Sequence, residues 1–273
     1  MAKLSLNQAW NETAAFVKRE GRLLFPIALL LVVLPMVVVR LLMPQDVPPG
    51  ELPEAGAWLA MLPIAILIGM IGNIAIATLA LRSGITVGEA LRNGLRRMPT
   101  LLGASLLIGI GIGVVVLVVA VILALAIVGP TPNPPPQSVV TAAVIGAIVL
   151  FPILLYVAAR MLATTPVAAA ERGGPIAILG RSWRLTDGSV WTLVGFLLLL
   201  IVLLLVVSMA VVALFGILAT LIGGPIRPGS LSMILMLIVD AVFNMVVTVY
   251  VTVMISRIYA QLAGNGSAEV AAA

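Results

Sequence analysis

The chain of 273 residues has no cysteine and no histidine. The first absence excludes disulfides, thiolate metal sites and cysteine nucleophiles. The second excludes imidazole acid–base chemistry and histidine-ligated zinc or iron. Charged residues are scarce at 9%, and aromatic residues make up 5%. Apolar residues dominate: at 62% of the sequence and a mean hydropathy of +1.26, the chain falls outside the soluble globular range and inside the polytopic membrane class. The net charge of +5 does not point to nucleic acid. Aromatic residues are too few, and the basic residues sit in short blocks beside apolar runs, as on a cytoplasmic membrane face.

The apolar runs predict six spans, at about 23–43, 57–81, 100–128, 139–159, 190–222 and 231–254, each long enough to cross a bilayer. The expected fold class is all-α. It is a polytopic bundle of six transmembrane helices in a single domain, 1–262, with short amphipathic cytoplasmic helices and a disordered tail at 263–273. The first span is too long for a secretory signal peptide and has no small-residue cleavage site, so it reads as an uncleaved helix. With loops on alternate sides, all the Lys and Arg residues except Arg40 and Arg227 fall on one face. The positive-inside rule makes that face cytoplasmic, with both termini.

Three basic amphipathic segments precede spans. One starts at the capping box Ser5-x-x-Gln8 and places Leu6, Ala9, Trp10, Thr13 and Val17 on one face. A second starts at Thr86-x-x-Glu89, with Val87, Ala90, Leu91, Leu95 and Met98 set against Arg92, Arg96 and Arg97; both boxes are helix N-terminal signatures. The third opens at Gly173-Gly174-Pro175, with proline in its first turn. The three starts are roughly 80–90 residues apart and each leads into two spans, which suits three parallel copies of one unit. Alternation of basic connectors in any such bundle yields the same pattern.

Association in lipid relies on close approach rather than apolar burial, so small residues should mark contact faces. Ala65, Gly69, Asn73 and Ala77 form such a stripe on the second span, and Ser105, Gly109 and Gly113 on the third. These are the expected contacts of spans two and three with the bundle.

On the sixth span Asp240, Asn244, Thr248, Thr252 and Ser256 recur every fourth residue and share a helix face. An ionisable residue at this depth is costly and avoids lipid. This face is either interhelical hydrogen-bonding glue or a line of polar groups along a substrate path. At about 1.5 Å per residue, Asp240 lies roughly 13 Å below the outer end of its span, within reach of Arg40. Asn73 and Asn244 come within about 4 Å of one depth by the same arithmetic. A lone carboxylate without histidine, cysteine or a second acid is a poor hydrolytic centre, so no catalytic or metal-binding residue is assigned.

At the cytoplasmic face, Arg92, Arg96, Arg97, Arg181 and Arg184 are candidate ligands for anionic lipid headgroups, each contributing on the order of 1 kcal/mol near the surface. The same charges also serve as topology signals. Trp183 and Trp191 fit interfacial anchoring. At Arg160, Glu171-x-x-Gly174-Pro175, Arg181-Ser-Trp-Arg-Leu-Thr186 and Trp191, the chain resembles the membrane domain found with some bacterial glycerophosphoryl diester phosphodiesterases and related stand-alone six-span proteins. The resemblance implies an all-helical membrane module. It does not imply the phosphodiesterase reaction, which belongs to a separate barrel with catalytic histidines. The expectation is a non-enzymatic membrane scaffold or regulator, without cofactor. Its partners would be anionic lipids and a membrane-associated enzyme. The alternative is a transporter or lipid-translocating protein using the Asp240 face.

Overall fold

A computed structural model describes residues 4–44, 53–82, 84–129, 135–227 and 229–272, with side chains to Gly264. It is 88% helical, with no strand among the described residues, and six helices are long and apolar enough to cross a membrane. Helix α1 is Leu6–Leu42 and α2 is Ala57–Leu81; α3 is Val87–Val128. After it, α4 covers Pro136–Met161, and the short α5 and α6 cover Thr164–Ala170 and Pro175–Leu185. Helices α7, Val190–Gly223, and α8, Leu231–Ala272, complete the chain. Most of the tail expected at 263–273 lies among residues whose side chains are outside this description. The protein is a multi-pass membrane protein.

Two of the three amphipathic segments continue without a break into the spans that follow them. At 1.5 Å per residue, α1 extends about 55 Å and α3 about 60 Å, roughly twice the hydrocarbon thickness, so their basic ends stand outside it. Nothing stops either helix: Pro26 sits inside α1 just before a π-helical turn, Ala28–Val33, and Pro99 sits inside α3. A π turn is a common way to accommodate a disrupted hydrogen-bond ladder. Only α6 is separate. Gly173-Gly174-Pro175 starts it, and a turn in which Gly188 has φ of 79° divides it from α7, a conformation glycine adopts at no steric cost.

The capping boxes differ. At Thr86 the box is complete: the Glu89 N–H donates to the Thr86 hydroxyl at 3.3 Å, and the Glu89 carboxylate accepts from the Thr86 N–H at 2.9 Å. At Ser5 only half forms. The Gln8 N–H donates to the Ser5 hydroxyl, but the Gln8 amide turns to Glu12 at 2.8 Å. The Ser5 N–H is satisfied from 256 positions away, by the Gln261 side-chain carbonyl at 3.1 Å.

The buried core lies at the end of the bundle that carries the termini. One cluster joins Phe16, Val17 and Leu24 of α1 to Ile76 and Leu79 of α2 and Val249 and Val253 of α8. A second joins Ile74 and Leu101 to Val167 of α5, Ile178 of α6 and Tyr259 of α8. Helix α2 runs through the centre, with 56% of its most apolar window buried, whereas the corresponding windows of α3 and α7 are 0% buried. Those two windows are also the most apolar, with mean hydropathies of 3.3 and 3.4 against 2.4 for α2. The most hydrophobic helices therefore face outward, as expected where lipid is the solvent and small or polar groups make the contacts.

Close approaches confirm one small-residue stripe and correct the other. Ala65, Gly69 and Ala77 are buried in α2. The tightest point beside them is Gly72, where a Cβ would stand 2.9 Å from Leu31 and Val32. On α3 the expected stripe is not a contact face: Ser105, Gly109 and Gly113 are exposed, and a Cβ at either glycine meets nothing within 4 Å. Gly94 and Gly103 hold this helix instead. A Cβ at Gly94 would lie 2.7 Å from the Ile71 carbonyl oxygen, and one at Gly103 would lie 2.7 Å from the Pro175 ring. Beyond Ala104 most of its valines and leucines are exposed, as well solvated by acyl chains as by protein, and the helix meets α4 again near its end, where a Cβ at Gly146 would stand 3.2 Å from Leu123.

Candidate functional site

Polar side chains gather in two places, at opposite ends of the bundle. The first is the polar face of α8. Helix α1 ends two residues after Arg40, so it reaches only to the level of Asp240, nine residues inside α8. There the Arg40 guanidinium donates to the Asp240 carboxylate at 2.7 Å. The Asn244 amide donates to the other Asp240 oxygen at 3.1 Å and to the Asp240 main-chain carbonyl at 2.9 Å. A carboxylate at this depth carries a penalty unless it is paired, and Arg40 supplies the counter-charge.

This pair is the common wall of two cavities. One, of about 640 Å³, lies between α7 and α8 and is lined by Arg40, Arg227, Ser208, Asp240 and Asn244 among apolar side chains. The other, of about 220 Å³, lies toward α1 and reaches Val32, Val37 and Thr248. The polar face continues down α8, where the Thr252 hydroxyl donates to the Asn73 side-chain carbonyl at 3.2 Å. The structure thus joins Arg40 to Asp240, as the depth argument expected. Asn73 bonds Thr252 rather than Asn244, two helical turns from the level expected, and Thr248 contributes to a cavity wall.

The second gathering is at the end with the termini. Arg160, in the last turn of α4, pairs with Asp187 and donates to the Tyr156 hydroxyl at 3.1 Å and the Trp183 carbonyl at 3.2 Å. Its guanidinium carbon lies 4.7 Å from the Trp183 ring centroid and 5.4 Å from that of Tyr156, within cation–π range. Arg181 pairs with Glu171 at 3.1 Å, and the same Glu171 oxygen accepts from the Tyr259 hydroxyl at 2.9 Å. Arg160 and Arg181 are therefore neutralised locally and fasten α6 to α4 and α8. Trp183 is 40% exposed and Trp191 is 80% exposed.

The remaining arginines here are not neutralised in this way. Arg92, Arg96, Arg97 and Arg184 have no carboxylate within salt-bridge distance among the described residues. Burial first, and then the charges of Arg96, Arg172 and Arg82, disfavour the charged form of the Arg97 guanidinium, so cations from three segments bear on one side chain. Arg92, Arg96 and Arg184 are exposed and Arg97 is half-buried. Behind them the Asn93 amide donates to the Thr78 hydroxyl at 2.9 Å and to the Ala169 carbonyl at 3.0 Å, locking α2, α3 and α5 together.

The sequence did not single out Arg82, Arg172, Asn93 or the buried helix α5 as parts of a site. Arg227 was visible in it only as an exception to charge asymmetry. Both exceptions, Arg40 and Arg227, line the larger cavity, which was the available signal. No group of three or more acidic residues able to hold a metal ion occurs among the described residues.

The chain belongs to the family described as Domain of unknown function (DUF7847), whose model matches residues 4–262. No curated protein and no solved structure matches it.

Proposed function

We propose that this member of the family is a non-enzymatic protein of the bacterial inner membrane, with both termini cytoplasmic, that holds anionic phospholipid headgroups at its arginine-rich end. It acts there as a scaffold or regulator for a membrane-associated enzyme. The observation that carries this reading is that Arg92, Arg96, Arg97 and Arg184 stand at this end without a carboxylate within salt-bridge distance among the described residues. Like charges repel, so cations left unanswered by folding set up a field that an external anion relieves. The cytoplasmic leaflet supplies such anions, at about 1 kcal/mol per arginine near the surface. The contrast with Arg160 and Arg181, each paired internally, narrows the headgroup ligands from those the sequence suggested to Arg92, Arg96, Arg97 and Arg184, with Arg82 and Arg172 added. The resemblance around Arg181 to Thr186 is the support for an enzyme of phosphodiester chemistry as the partner class, with this chain as its membrane platform.

The test is native mass spectrometry of the protein released from nanodiscs of mixed phosphatidylcholine and phosphatidylglycerol. The wild type should retain phosphatidylglycerol preferentially, and a combined Arg92→Gln, Arg96→Gln and Arg97→Gln variant should lose most of that preference. Equal retention by both forms would remove the basis of this reading. A transporter or lipid translocator is the second reading, favoured by the cavities on both sides of the Arg40–Asp240 pair. It requires reconstituted flux that disappears in Asp240→Asn.

A further inference from the structure

We infer that the cavity between α7 and α8 is a binding site for a singly charged anionic amphiphile, with a phosphate-type headgroup at Arg227 and an acyl chain along the apolar wall. The site is at the opposite end of the bundle from the basic cluster and does not depend on how that cluster is used.

Three observations converge on it. Among the described residues the charged groups of the lining are Arg40, Arg227 and Asp240; Asp240 takes Arg40 at 2.7 Å, so the Arg227 guanidinium is the cation that this carboxylate does not answer. Arg227 stands in the turn just before α8, level with the end of the span where headgroups lie, and its guanidinium has no carboxylate within salt-bridge distance among the described residues. The turn is itself shaped, since the Ser230 hydroxyl accepts from the Arg227 N–H at 3.1 Å and donates to the Arg227 carbonyl at 2.7 Å. The Arg227 main chain is thus tied to Ser230.

Below the arginine the wall is built for hydrocarbon. Val211 and Val212 of α7 face Met233, Met236, Leu237 and Phe243 of α8. Methionines fill irregular space and adapt to a flexible chain. The volume of about 640 Å³ is within the usual range for a small-molecule site. A free inorganic anion would satisfy Arg227 but leave that wall unused; a neutral lipid would fill the wall but leave the Arg227 guanidinium unanswered. Both requirements together select an amphiphile with one negative charge.

The absence of native cysteine permits a direct test. In the full-length protein in phosphatidylcholine nanodiscs, Ser208→Cys carries an environment-sensitive bimane inside the cavity. The probes are lysophosphatidylglycerol, lysophosphatidylcholine and glycerol 3-phosphate. The expected result is a saturable spectral shift with lysophosphatidylglycerol, at least tenfold weaker with lysophosphatidylcholine and absent with glycerol 3-phosphate. Arg227→Gln, a change in an exposed turn, should weaken the response about tenfold or more, and Met236→Trp, which fills the wall but keeps both arginines, should abolish it. Arg96→Gln with Arg97→Gln should leave it unchanged. Equal responses to the two lysolipids, saturation by glycerol 3-phosphate alone, or an undiminished response in Arg227→Gln overturns the proposal. Loss of the response in the Arg96 and Arg97 variant instead would assign it to the basic end and overturn it equally.

Discussion

Arg40 and Asp240, 200 positions apart in the chain, meet at 2.7 Å where the end of α1 comes level with the third turn of α8. The contact ties the first helix to the last at the end of the bundle where apolar packing is sparse. It also forms the partition between the two cavities that flank α8.

Removing one member of this pair should therefore cost more than removing both charges. Asp240→Asn takes the carboxylate from the Arg40 guanidinium, and Arg40→Gln leaves the Asp240 carboxylate at depth without its cation, a cost of about 2–3 kcal/mol. Thermal unfolding in nanodiscs should show a lower Tm for Asp240→Asn and for Arg40→Gln. The double variant Arg40→Gln with Asp240→Asn should recover part of the loss, with a coupling energy of about 1–2 kcal/mol from the double-mutant cycle.

Glycines on the same helix should respond in opposite ways. Gly94→Ala forces a Cβ to within 2.7 Å of the Ile71 carbonyl oxygen, and because backbone must move, the cost should be about 1–3 kcal/mol. Gly109→Ala and Gly113→Ala meet open space and remove a weak helix former, so they should be neutral or stabilising by up to about 1 kcal/mol. Tm measurements on the three variants separate these outcomes.

Asn93→Leu should loosen the joint between α2, α3 and α5. The change removes two donated hydrogen bonds, to Thr78 and Ala169, and leaves a buried carbonyl without its donor, a loss of about 1–3 kcal/mol. Hydrogen exchange should report the effect first in Thr164–Ala170, whose residues are mostly buried yet too short to be a stable helix alone.

Arg160→Gln should release α6. The side chain contributes an ion pair with Asp187, two hydrogen bonds and contacts with two aromatic rings. Exchange of the Pro175–Leu185 amides should accelerate about tenfold, equivalent to ~1.4 kcal/mol of local stability. Arg160→Lys should recover only part of it, since an ammonium has neither the planar face nor the fork of donors.

Labelling should fix the orientation. With no native cysteine, a membrane-impermeant maleimide applied to intact cells should modify Ile226→Cys, in the exposed turn before α8, and leave Arg184→Cys untouched. Modification of Arg184→Cys from outside would reverse the assigned topology.

Much of the architecture was legible because lipid imposes a severe local rule. Backbone polar groups in the bilayer must bond within their own segment, so a long apolar run such as 190–222 has one outcome whatever its neighbours do. The pairing of Arg40 with Asp240 was legible for a similar reason: two charges at comparable depth have few alternatives. The stripe at Ser105, Gly109 and Gly113 misled because small residues permit a close approach without requiring one. Gly94 and Gly103 were equally permissive in the sequence, and only the positions of Ile71 and Pro175 distinguish them. The division of the arginines into paired and unpaired sets was hidden as well, since Glu171 and Asp187 are each as near in sequence to several bases as to their partners.

By itself the sequence determined the number of crossings, their alternation and the segregation of positive charge, all consequences of transfer free energy and of charge beside each apolar run. Tertiary structure decided which helix runs through the centre, which arginines are cancelled by a carboxylate, and where space remains between α7 and α8. Those outcomes depend on which side chains meet across hundreds of residues, and in a solvent as apolar as the helices themselves hydrophobicity cannot select the neighbour; shape and the pairing of polar groups do.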